Sequence, residues 1–150
     1  MAPQSDAATT FALAELGREE SLDILARSGI GRVTFSVHGI PTALPVNVAL
    51  LEGDVVFATD KGSKLDAAVH GQVVSVEADG VDRVYHTGWS VLVTGVAEVL
   101  TDPRDVKRVR HLPLEAWAPG PHLFVVRVPS TIVSGRRLAW GPGSDTGAQR

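Results

Sequence analysis

The feature that most limits what this chain can fold into is a change of hydrophobic period. Through Arg18–Ser28 the apolar residues Leu22, Leu25 and Ala26 recur at helical spacing, and Gly29 stands where a left-handed C-terminal cap is wanted. After Gly31 the period falls to two: Val33, Phe35 and Val37 alternate with Arg32, Thr34 and Ser36. Successive side chains of a strand point to opposite sides, so this alternation describes a strand buried on one face. Short segments bounded by turn residues follow at Thr42–Leu51, Val55–Thr59, Val73–Asp79, Trp89–Leu100, Leu123–Val128 and Ile132–Arg137. His38-Gly39 makes the first turn, and Glu52-Gly53-Asp54 ends the second strand.

Pro45 constrains that second strand. A proline cannot donate to the ladder, so Thr42–Leu51 must run along an edge or carry a bulge. Two further helix starts are visible. Ser63-Lys64-Leu65-Asp66 matches a capping box and opens a short helix that closes at Gly71. Asp102-Pro103-Arg104-Asp105 combines an N-cap aspartate with proline at the first helical position, and that helix runs to about His111. Six or seven strands with so few helices leave a flat sheet with awkward edges. A mostly β (α+β) fold, closed or nearly closed as a barrel, is expected over a generic α+β sandwich.

The 150 residues fit one domain, and 44% hydrophobic with 21% charged residues is ordinary globular composition. The expected boundaries are a disordered tail over 1–12, a folded body over 13–138 and a flexible Gly-rich tail over 139–150. Without cysteine the chain has no disulfide framework, thiolate metal site or cysteine nucleophile. The five histidines lack ligand spacing, so no metal site is expected. A net charge of −3 offers no long-range attraction for nucleic acid, and Lys107, Arg108 and Arg110 read as a solvated helix face. No signal peptide and no membrane-spanning run is visible, and a cytoplasmic location is expected.

Several motifs fail on inspection. Gly88-Trp89-Ser90-Val91-Leu92 has leucine where a nucleophile elbow needs its second glycine, and Gly29-Ile30-Gly31 leads into a strand where a dinucleotide fingerprint needs a helix. What remains is Thr59-Asp60-Lys61-Gly62-Ser63-Lys64: hydroxyls, a glycine and two lysines at a strand end, directly ahead of a capped helix. Helix-terminal N–H groups, close backbone approach and a lysine charge can hold a phosphate monoester, although a plain capped loop has the same composition.

Taken with Leu16-Gly17-Arg18, Gly31-Arg32-Val33, Pro45-Val46-Asn47, Gly88–Gly95 and Ser134-Gly135-Arg136-Arg137, this segment follows an order and spacing that resembles the pyridoxamine 5′-phosphate oxidase-like split barrels. The similarity is to short actinobacterial-type members related to nitroimidazole-resistance proteins. The resemblance implies a six-stranded antiparallel split β-barrel with two or three short helices, binding flavin mononucleotide (FMN) at a homodimer interface. Carried over by position, Thr59, Ser63 and Lys64 would hold the phosphate, and Pro45, Val46 and Asn47 would line the ring edge. Ser90 and Val91 would offer backbone groups to the ring, with Trp89 packed beside it; Trp117 sits in the long loop that in family members can close over the cofactor's open face, although its own reading is a hydrophobic loop anchor. The Arg/His pair that true pyridoxamine phosphate oxidases use for substrate is missing, so vitamin B6 oxidation is not implied. The expected activity is a flavin-dependent oxidoreductase for a small electrophile, with no nameable catalytic acid or base. The alternatives are a non-catalytic flavin carrier or sensor, or a split barrel using F420 or haem.

Overall fold

The computed structural model describes residues 9–60, 65, 70–114 and 123–142. Nine strands form one antiparallel sheet: β1 Thr9–Leu16, β2 Ile30–Val37, β3 Ile40–Leu51, β4 Asp54–Asp60, β5 Val73–Asp82, β6 Thr87–Val96, β7 Glu98–Val99, β8 Leu123–Val128 and β9 Ile132–Pro142. Their order in space is β1-β9-β6-β5-β2-β3-β4-β8-β7. Two helices are defined among the described residues, α1 Arg18–Ser28 and α2 Pro103–Val109. Of the helix expected after Ser63 only Leu65 is described; it is helical and buried.

The mostly β class is as expected; among the described residues the strands number nine, where the resemblance implies six and the alternation reads as seven segments. Two physical reasons take the count from seven to nine. The run expected as one strand over Trp89–Leu100 breaks at the buried Ala97, whose N–H bonds to Gln72 and whose carbonyl accepts from Gly71. Beyond that break Glu98 pairs with Arg127 of β8, so β6 and β7 are one run of chain that serves β5 and β9 first and β8 after, and the sheet curls back on itself. The expected tails also shrink. Thr9–Leu16 pairs residue for residue with Gly135–Pro142, which extends the folded region past both expected boundaries.

The hairpin turns follow local chemistry. His38-Gly39 and Glu52-Gly53 have φ of 50° and 80°, and 53° and 85°. Positive φ at two adjacent positions is what a tight two-residue hairpin needs to match strand twist, and glycine supplies it without strain. Gly29 ends α1 in the left-handed region at φ 68°, as its position suggested.

Pro45 stands on a free edge. Residues 40–47 of β3 pair only with β2, and Val48–Leu51 pair with β4. The Val48 N–H bonds to the Gly29 carbonyl at 3.0 Å. Because donors alternate along an antiparallel strand, position 45 faces away from β2, where no N–H is required.

The concave face buries one core, including Leu25, Val33, Val48, Phe57, Val76, Val91, Val93 and Val126. β4 is buried on both sides: Val55 and Phe57 enter that core, while Val56 joins Ala49, Leu51 and Val109 beneath α2. This explains the unbroken apolar run Val55-Val56-Phe57, which alternation alone would not predict. At the start of β4, Asp54 accepts from Arg127 Nε at 2.8 Å and from the Ser130 backbone N–H at 2.9 Å. That carboxylate ties the β3–β4 turn to the β8–β9 turn.

Gly95 of β6 lies against the Pro129 carbonyl so closely that a Cβ would overlap it. Gly95→Ala should destabilise the protein by about 1–3 kcal/mol in chemical denaturation, with backbone as the obstacle and no side chain able to yield. Asp102 caps α2 by accepting from the Arg104 N–H. The Arg104 guanidinium, then that backbone N–H, hold its carboxyl below the ordinary carboxylate range. A folded pKa below the unfolded one stabilises above the unfolded value and is lost as pH falls through the folded one. The stability gap between wild type and Asp102→Ala should therefore shrink on acidification, which thermal melts at stepped pH will register.

Candidate functional site

Strand parity sorts the expected site residues onto two faces. On the concave face, Val46 pairs with Gly31, and Val91 pairs with Ala78 and Gly135; all five are buried. On the convex face, Pro45 pairs with Arg32, and Ser90 pairs with Asp79 and Arg136; all five are exposed. Asn47, opposite Ile30, has the parity of Pro45. The fold thus brings Pro45 and the half-buried Asn47 onto the same side of the sheet as Ser90, which is distant in the chain. β3 and β6 are separated by β2 and β5, and three strand spacings amount to about 14 Å.

Val46 and Val91 face the interior and can reach a ligand on the convex side only through backbone. For Val91 and Ser90 that route competes with the ladders. β6 is paired with β5 on one edge and β9 on the other over both residues, so their N–H and C=O groups belong to the ladders. What Ser90 presents outward is its hydroxyl. The backbone role expected for Ser90 and Val91 falls on a strand paired along both edges.

Trp89 shares the parity of Val91 and packs against the end of the core. Its indole lies over Gly80, where a Cβ would fall 2.6 Å from Nε1. Two open depressions of about 300 and 280 Å³ meet at this ring: one is lined by Gly80–Asp82 and Thr87–Trp89, the other by Ile24, Arg27, Ser28, Trp89 and Arg137. Thr59 is buried near the end of β4, opposite Phe124 of β8. Ser63, Lys64 and Trp117 lie outside the described residues, so the phosphate-loop assignment rests on sequence. Among the described residues no three acidic or histidine side chains form a group able to hold a metal ion, and no helix is long and apolar enough to cross a membrane.

At the centre of the convex face stands a charged cluster given no role by its sequence position. Arg32 Nη1 donates to Asp79 Oδ1 at 2.9 Å and to Glu77 Oε2 at 3.4 Å. The bond to Asp79, then the charges of Asp79 and Glu77, hold the guanidinium above its ordinary pKa. The signal was present as Arg32 alternating outward in β2 and Glu77 and Asp79 alternating outward in β5, but only the β2–β5 register shows that they meet.

Comparison with known proteins agrees with this architecture. The family model described as pyridoxamine 5′-phosphate oxidase matches residues 17–137. The uncharacterized protein Rv0080 of Mycobacterium tuberculosis is 38% identical over 129 residues, covering 83% of this chain and 84% of its own. A solved FAD binding protein from Mycobacterium smegmatis superposes with a TM-score of 0.74 at 32% identity, covering 83% of this chain and 98% of that one. A FAD and heme binding protein from the same organism shares the fold, with a TM-score of 0.66 at 17% identity over 89% of this chain and 76% of that one.

Gly80→Ala should displace the Trp89 indole. The expected result is a shift in tryptophan emission that disappears when the same change is made in a Trp89→Phe background.

Proposed function

We propose that this chain, which belongs to the pyridoxamine 5′-phosphate oxidase family, is a flavin-dependent oxidoreductase that holds FMN against the convex face of its sheet. The observation that carries this reading is the convergence of Pro45, Asn47 and Ser90 on that face. The donors there suit the group. A flavin ring bears carbonyl acceptors on one side, and an amide, a hydroxyl and a guanidinium present complementary N–H and O–H groups. Ser63 and Lys64 would hold the phosphate, with Thr59 contributing through its backbone because its side chain shares the inward parity of Phe57. The likeness to a FAD binding protein supports a flavin, and FAD contains the same phosphorylated ring system.

When bound, the flavin supplies hydride transfer, and the protein supplies binding, orientation and the electrostatic setting. The substrate is a small electrophile. In this reading the site is shared between two copies of the chain. Asn47 and Ser90 lie about 14 Å apart across the sheet, further than one ring edge spans, so a second copy would bring its own Ser90 toward the first copy's Asn47. Leu13, Val73, Leu92, Val96 and Ile132 are exposed on the same face, an apolar surface suited to a self-complementary interface. A non-catalytic flavin carrier would use the same grip without passing hydride to an added acceptor.

Purified protein should be yellow, be bleached by a reduced nicotinamide and regain colour with an added acceptor; chromatography of the heat-released cofactor separates FMN from FAD. Colourless protein that ignores added FMN overturns the proposal, and flavin that binds but never turns over supports the carrier. Lys64→Ala should weaken FMN binding by about 1–3 kcal/mol, the loss of a charge-assisted contact to phosphate, measured by fluorescence titration.

A further inference from the structure

We infer that Arg32 positions the flavin, its guanidinium being the donor group against which the carbonyl-bearing side of the ring is registered; this rests on the flavin reading above. Its place in the sheet is the first argument. Arg32 is opposite Pro45 on β3 and Glu77 on β5, and its side chain bonds to Asp79, which pairs with Ser90 on β6. It therefore lies on the convex face directly beside Pro45, the segment of the same copy that would line the ring edge.

The second argument is how the side chain is held. Both of its hydrogen bonds leave from Nη1, and among the described residues Nη2 and Nε donate to nothing. Asp79 and Glu77 thus fix one arm of the fork and leave the remaining N–H groups turned to an open surface, the side chain being 58% exposed. An ion pair this exposed does little for stability, but it removes rotamer freedom before a ligand arrives. A planar guanidinium then offers parallel donors that match adjacent oxygen and nitrogen acceptors on the edge of a flat heterocycle. Lysine carries the charge without that geometry.

The test uses the full chain, freed of co-purified flavin, with FMN itself as the titrant. Arg32→Ala should weaken FMN binding at least tenfold and shift the visible absorption maximum of the flavin still bound. Arg32→Lys should recover less than half of that loss on a logarithmic scale. Asp79→Asn should weaken binding in the wild-type background and have no effect in Arg32→Ala, because Asp79 acts through Arg32. Wild-type affinity and spectrum in Arg32→Ala overturn the role of Arg32 and leave the flavin reading standing. If that variant fails to fold, unchanged binding in both Arg32→Lys and Asp79→Asn has the same force. A wild-type protein that binds no FMN overturns both proposals.

Discussion

The architecture depends on one hand-over of hydrogen bonds. β3 gives its first eight residues to β2 and its last four to β4, and the change falls between Asn47 and Val48. Every strand on one side of that point reaches the rest of the sheet through β2, and every strand on the other side through β4. A strand with the same partners along its whole length would give a flatter sheet with two long edges. Pro45 makes the hand-over compatible with local chemistry, since it stands where the ladder asks for no donor. Ala97 makes the matching transfer on the far side, where the chain leaves β5 and joins β8.

Between these two transfers the sheet has faces of opposite character. The concave face is almost wholly aliphatic, with valine dominating, and its side chains need no polar partners. The convex face of β2, β5 and β6 mixes hydroxyls, one ion cluster and exposed aliphatic groups. Ser75 and Thr94 bond to each other at 2.6 Å, Thr34 donates to the Ser75 carbonyl, and Arg32 lies two residues from Thr34 on the same side. Such a surface carries fewer scattered charges than the solvated face of an ordinary antiparallel sheet.

Much of the fold was legible in the sequence because the physics involved is local. Period-two alternation located the β2 strand, Gly29 ended α1, Asp102 capped α2, and His38-Gly39 marked a turn. What escaped was set by distant residues. Nothing local to Thr9–Leu16 says that a partner exists more than a hundred residues later, and nothing near Ala97 says that the strand changes neighbours there. The candidate site was half legible for the same reason. Its segments could be picked out one by one, but the face each side chain occupies follows from parity within a formed sheet. Thus Val91 fell inside, and Arg32, given no role in the sequence, fell at the centre of the convex face.

The pairing of β1 with β9 has a consequence for how this molecule is made. β1 is the first strand of the described chain, and among the described residues its ladder is to Gly135–Pro142. During synthesis it emerges early and must wait, single and unpaired, while seven other strands are produced. β9 in turn is what joins β1 to β6. The sheet can therefore assemble from β2 outward as the ribosome proceeds, but its last seam is sewn only after residue 142 is free. A translation product stopped short of β9 would carry an exposed strand edge on β6 and a stranded β1, the kind of unpaired surface that leads nascent chains to aggregate.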